Sequence, residues 1–182
     1  MNNNELKYIQ SFAHKKHWDQ ESVFIVEGPK LVKELLESDW TIEKIYASAE
    51  WLNAQDAIGV PTEQVDEIIL ERISQFKTAN QVLALVKKKV ANAPLNFDKE
   101  LTLVLDGIQD PGNFGAIIRT ADWFGVKQIL VSEDNAGLYN PKVIQSTMGS
   151  FLRVHVAQYN IEAVLSTSKL PVYGAVLAGA PL

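Results

Sequence analysis

Residues 101–131 carry the pattern that most restricts the fold. An apolar run (101–105), a helix-length segment with an apolar stripe (112–124), Gly125 at a helix C-terminus and a second apolar run (128–131) follow one another. Two short strands separated by one amphipathic helix make a parallel βαβ crossover, since parallel neighbours need a long connection and a helix supplies it. The rest of the chain repeats the alternation. The first twenty residues read as a helix on Leu6, Ile9, Phe12 and Ala13. Residues 23–26 form a strand broken by Gly28-Pro29, and Leu31, Val32, Leu35 and Leu36 give the stripe of a helix ending near Asp39. Residues 42–47, 65–74 and 81–90 read as strand, helix and strand. Beyond 131, Asn140-Pro141 opens a helix that Gly149 closes, followed by a strand at 151–156, a helix at 161–166 and a strand at 172–177. The stretch 91–98, with Pro94 and two asparagines, has no periodicity and reads as a linker. The expectation is an α/β protein with a small domain at 1–93 and a second, mainly parallel α/β domain at 94–182.

Composition narrows the chemistry. There is no cysteine among the 182 residues, which removes disulfides, thiolate catalysis and sulfur-ligated zinc. His14, His17 and His155 have no carboxylate or histidine at ligand spacing, so no metal site is expected. Asp106, Asp110 and Asp122 are explained by turns and helix capping. No apolar run reaches the roughly 20 residues of a membrane-spanning helix, and residues 1–5 lack a signal-peptide layout, so the expected location is the cytoplasm. The net charge of -5 argues against nucleic-acid binding by bulk electrostatics; an RNA partner would have to be met by local clusters and shape.

In an open α/β sheet, ligands gather beyond the carboxyl ends of the strands, and the loop at 106–115 lies at such an end. Its glycines, Gly107, Gly112 and Gly115, are spaced as neither a dinucleotide fingerprint nor a phosphate loop. Asn113 stands near the start of the following helix and Arg119 six residues on, about 9 Å along the axis. Because helical side chains lean toward the N-terminus, an amide and a guanidinium can converge on one pocket. Equally, Asn113 can be a cap and Arg119 a surface cation. The expected buried stripe is Ile117, Ile118, Ala121 and Phe124. Lys15-Lys16-His17-Trp18 reads either as a basic patch with an aromatic stacking platform or as a solvated helix end with Trp18 packed on the small domain. Lys87-Lys88-Lys89 reads as a solvated strand end.

The run DGIQDPGNFGAIIRTADWFGV at 106–126 resembles the first motif of the SpoU, or TrmH-like, branch of the SPOUT RNA methyltransferases, and NPKVIQSTMGSFLRVHV at 140–156 resembles the region that follows it. FIVEGPKLVKELL at 24–36 and TANQVLALV at 78–86 resemble the L30e- or L7Ae-like substrate-binding domain that precedes it. The resemblance implies S-adenosylmethionine-dependent methylation of a ribose 2′-hydroxyl in tRNA or rRNA, a trefoil-knotted second domain and a homodimer. It makes Asn113 and Arg119 the functional pair, and Leu177, Ala178 and Gly179 contacts for the cofactor. The chain departs from the family at Lys15-Lys16-His17-Trp18, where a basic pair with arginine is usual, so RNA contact by Lys15, Lys16 and Trp18 rests on the residues themselves. Phosphate binding and hydroxyl orientation suit Arg119 better than proton abstraction, since a guanidinium holds its proton too firmly to act as a base. The family's knot uses two segments beyond the strand at 172–177 that these 182 residues do not contain. The expectation is therefore the front part of such an enzyme, with an RNA-binding fragment unable to hold cofactor as the alternative.

Overall fold

The computed structural model describes residues 1–89, 97 and 100–175. The first half contains α1 (Asn3–Ser11), α2 (Lys15–Gln20), β1 (Val23–Glu27), α3 (Pro29–Leu36), β2 (Ile42–Ala47), α4 (Ala49–Asn53), β3 (Thr62–Gln64), α5 (Glu67–Ile73) and β4 (Val82–Lys87). Its sheet is ordered β1-β4-β2-β3, with β4 antiparallel to both neighbours and β3 parallel to β2. The central β4 is buried from Val82 to Val86, which accounts for its unbroken apolar sequence. The single helix expected over the first twenty residues is instead two, because the chain turns after Ser11 and drives Phe12 fully into the core. The short α4 and β3 were not legible in sequence. Neither is long enough to show a period, and β3 exists by pairing with β2.

The second half contains β5 (Thr102–Leu105), α6 (Pro111–Trp123), β6 (Gln128–Val131), α7 (Pro141–Ser146), a 3₁₀ turn (Ser150–Leu152), β7 (His155–Gln158) and α8 (Ile161–Thr167). Its three strands run in the order β5-β6-β7, all parallel. The strand expected at 151–156 starts only at His155, because the turn before it points Phe151 into the core. Residues 171–175 carry no regular structure. The remainder of the strand expected at 172–177 lies outside the described residues, as does the linker stretch 91–98 apart from Phe97.

Three apolar clusters hold these elements. Ile9, Phe12, Trp18, Leu70 and Ile73 cover one face of the first sheet. Leu31, Val32, Leu35 and Trp51 cover the other, together with Ile144 and Phe151 from the second half. The Phe24 ring lies 5.8 Å from that of Phe151 and 4.7 Å from that of Tyr139, so the two halves share this core. At its rim Arg153 donates to Asp122 at 2.7 Å and to Glu34 at 3.1 Å, joining the end of α6 to α3. The third cluster packs Phe114, Ile118 and Ala121 of α6 and Val143 of α7 on the second sheet. The expected α6 stripe is corrected at two positions: Ile117 is only half-buried and lines a surface cleft, and Phe114 replaces Phe124, which is 76% exposed, because the helix ends at Trp123 and Gly125 turns the chain away at φ +75°.

One buried carboxylate organises the first half. Glu27 accepts from Ser74 Oγ (2.6 Å), the Gln75 amide (3.1 Å), and the Asn80 amide and side chain (both 3.2 Å), so the α5–β4 connection is folded around it. A second network lies near the surface, where Lys44 donates to Glu5 at 2.7 Å and to Glu63 at 2.6 Å, and Tyr46 Oη donates to Glu5 at 2.6 Å. Hydrogen bonds from Lys44 hold both carboxyls below their ordinary value. Since their folded pKa is depressed, the stability they contribute is present above the unfolded value and is lost as pH falls through the folded one. Urea midpoints should therefore drop between about pH 6 and pH 3, and Lys44→Met should flatten that drop. An equally steep drop in Lys44→Met would exclude this network as its source.

Candidate active site

The loop between β5 and α6 is held in place by backbone bonds and side chains together. Asp110 caps α6 by accepting from the Asn113 amide at 2.7 Å, and Pro111 takes the first helical position, where no amide is needed. Gly107 turns the chain at φ +69°. Its amide donates to Ser132 Oγ at 2.9 Å, and the Ile108 amide donates to Asn135 Oδ1 at 2.8 Å. Asn135 Nδ2 in turn donates to the Leu105 carbonyl at 3.0 Å, and the Ala136 amide to the Ile108 carbonyl at 2.8 Å. Sequence reasoning missed Ser132 and Asn135. The signal for them was a polar run directly after an apolar strand, at the carboxyl edge where such residues meet the neighbouring loop.

Asn113 sits in the first turn of α6 with its side chain exposed. It lines an open cleft of about 480 Å³ with Ile108, Gln109, Ala116, Ile117 and Thr120. Asp110, not Asn113, is the cap, so the side-chain amide of Asn113 is left to face the cleft. Arg119 does not line this cleft. Six residues at 3.6 per turn carry it about 240° round the helix, so it leaves α6 on another side although it is close along the axis. It is exposed, and no hydrogen bond or ion pair holds it among the described residues.

The other basic positions divide. Lys15 is exposed and shares a cleft of about 330 Å³ with Gln109, Pro111 and Asn140, so the start of α2 borders the loop that leads into α6 and Asn113. Lys16 is exposed on the same helix. Trp18 is corrected as a stacking platform: it is 6% exposed, and a Cβ placed on Gly137 would come within 2.5 Å of its ring, so its face is already covered. Lys87 and Lys89 are exposed, as a solvated strand end requires, and the reading is corrected only for Lys88. Lys88 donates to the carbonyls of Trp18 (2.8 Å) and Asp19 (3.0 Å) and lies over the Tyr139 ring, and burial lowers its pKa. Lys89 pairs with Asp39 at 2.7 Å. The positions 177–179 lie outside the described residues. Among the described residues no helix is long and apolar enough to cross a membrane.

Known proteins resemble both halves. The model of the SpoU rRNA methylase family matches residues 100–181, and that of the MRM3-like substrate binding domain matches residues 3–84. A TrmH-family protein from Porphyromonas gingivalis is 34% identical, with a TM-score of 0.85 over 100% of this chain and 76% of its own. The 23S rRNA (guanosine(2553)-2′-O)-methyltransferase RlmP of Bacillus subtilis is 28% identical over 98% of this chain and 73% of its own. An AdoMet-bound rRNA methyltransferase from Sinorhizobium meliloti is 27% identical, with a TM-score of 0.76 over 90% of this chain and 64% of its own.

Proposed function

The chain belongs to the SpoU, or TrmH-like, family of RNA methyltransferases, and on that premise we propose that it transfers a methyl group from S-adenosylmethionine to a ribose 2′-hydroxyl of RNA, with rRNA the preferred class. The observation that carries the reading is the cleft beside α6, where the motif's asparagine is presented free of any capping duty. The cleft is a fit for the methyl donor by charge and polarity. Ile108, Ala116 and Ile117 give it an apolar wall, Gln109 and Asn113 give it neutral amides, and no basic side chain lines it to repel a sulfonium. S-adenosylmethionine, when bound, supplies a methyl group on a positively charged sulfur.

The chain's own residues orient the acceptor. Asn113 would hold the ribose hydroxyls, and alignment of this kind is worth several kcal/mol in a transfer between two bound partners. Arg119, exposed and uncommitted, would bind an RNA phosphate beside the target ribose, a task for which a guanidinium fork is suited. Lys15 and Lys16 would take the RNA backbone from the other side of the same loop, with residues 1–93 serving as the substrate-binding domain. Residues 177–179 would line the donor's side of the pocket. We further propose a homodimer, to which Trp123 and Phe124, 85% and 76% exposed, offer apolar surface. A purely monomeric sedimentation profile would exclude it.

The reading is tested by incubating the protein with tritiated S-adenosylmethionine and separately with purified rRNA and tRNA, then digesting to nucleosides. The expected product is one 2′-O-methylated nucleoside from rRNA. A label found on a base, or none on either RNA, overturns the reading.

A further inference from the structure

We propose that Asn135 is a positioning residue for the 106–110 loop, and that Trp18 couples this clamp to helix α2. The proposal rests on the methyltransferase reading for its link to rate, but not for its geometry. Gly107, Gln109 and Asp110 are exposed, so burial does not hold the loop. Its order comes from polar bonds with the segment after β6. The Asn135 side chain spans the loop's entry, accepting from the Ile108 amide at 2.8 Å and donating to the Leu105 carbonyl at 3.0 Å. It also donates to Ser132 Oγ at 2.7 Å, which fixes the hydroxyl that accepts from the Gly107 amide at 2.9 Å. Ser132 Oγ itself donates to Asp134 Oδ1 at 2.5 Å. With the Ala136 amide on the Ile108 carbonyl, both backbone groups of Ile108 are taken by residues 135 and 136. One planar amide thus sets the path of the chain just before Asp110 caps α6 and places Asn113.

The clamp is braced from the substrate-binding half. Gly137, two residues after Asn135, lies against the ring of buried Trp18, too close for any Cβ. Lys88 ties the end of α2 to the same region by donating to the Trp18 and Asp19 carbonyls while lying over the Tyr139 ring. Helix α2, which carries Lys15 and Lys16, is therefore seated on the segment that holds the catalytic loop. Residues proposed to receive RNA and the loop proposed to align its ribose are parts of one connected unit.

The test combines amide hydrogen exchange with steady-state kinetics on the whole protein. Asn135→Leu removes all three of these bonds, and Asn135→Asp keeps an oxygen for the Ile108 amide while losing the donor to Leu105 and Ser132. In Asn135→Leu the Ile108 amide should exchange about tenfold faster or more, as expected when a partly buried donor loses its partner. Amides in the middle of α6 should be unchanged, and kcat should fall about tenfold or more with KM for RNA within about twofold. Asn135→Asp should retain Ile108 protection and an intermediate kcat, and it serves as the test if the leucine variant does not fold. Trp18→Leu should speed Ile108 exchange by a smaller factor. Unchanged Ile108 exchange in Asn135→Leu, or faster exchange with unaltered kcat, overturns the proposal. Faster exchange in a protein whose wild type methylates no RNA upholds the clamp and overturns the functional reading instead.

Discussion

Asn113→Ala should lower methyl transfer to RNA by about 100-fold or more, the usual loss when one aligned polar contact to the reacting group is removed. It should do so without loss of stability. The Asn113 side chain is exposed, its backbone amide is satisfied by Asp110, and alanine is the better helix former by a few tenths of a kcal/mol. The expected signature is therefore a dead enzyme with an unchanged or slightly raised Tm. Arg119→Ala should differ in kind: a phosphate contact off the cleft would raise KM for RNA and make binding less salt-dependent, with a smaller effect on kcat. Single-turnover labelling with saturating RNA separates the two. Near-wild-type turnover in Asn113→Ala would remove the site assignment, and a kcat loss in Arg119→Ala equal to that of Asn113→Ala would place the guanidinium at the reacting atoms.

Gly115→Val should be among the most destabilising single substitutions in the molecule, at about 3 kcal/mol. Gly115 is fully inside the α6–α7 contact. A Cβ there would lie 2.9 Å from both the Ser146 carbonyl carbon and the Val143 carbonyl oxygen, and nearer still to Ser146 Cβ. Those neighbours are largely helix backbone, so no side-chain rotation relieves the overlap and the helices must separate. Even Gly115→Ala, which stabilises a solvent-facing helix, should destabilise here, and that reversal of sign distinguishes packing from propensity. For a chain of this size, the valine variant should melt roughly 6–12 °C lower. Unfolding with a Tm within about 2 °C of wild type would show that α6 and α7 can move apart at little cost. The α7 segment would then be a poor support for the Asn113 cleft.

Local chemistry made much of the frame legible. Gly125 marks the end of α6 by a left-handed turn that acts within a few residues, and the helix's Asp110-Pro111 start, a cap followed by a proline of fixed φ, falls one residue ahead of the expected 112. Asn140-Pro141 marks α7 by the same cap and proline. The apolar runs of β4 and β6 announced burial on both faces, and the crossover between β5 and β6 required them to be parallel. α4 and β3 are too short for a period to appear, and at 151–156 the apolar Phe151 serves a turn instead of the expected strand.

The site divides along the same line. The sequence by itself determined that Asn113 stands near the start of a helix at the carboxyl end of a parallel strand, since spacing is local. Only the tertiary structure decided what that asparagine faces. The helical rotation takes Arg119 to another side, the segment after β6 supplies Ser132 and Asn135, and the small domain contributes Trp18 beneath Gly137 and Lys15 beside Gln109. These contacts join residues far apart in sequence, through side chains whose partners are chosen by packing, so no pattern along the chain encodes them. Trp18 is the clearest case. An aromatic beside two lysines reads as a surface for RNA until the fold buries it against a glycine that has no side chain to interfere.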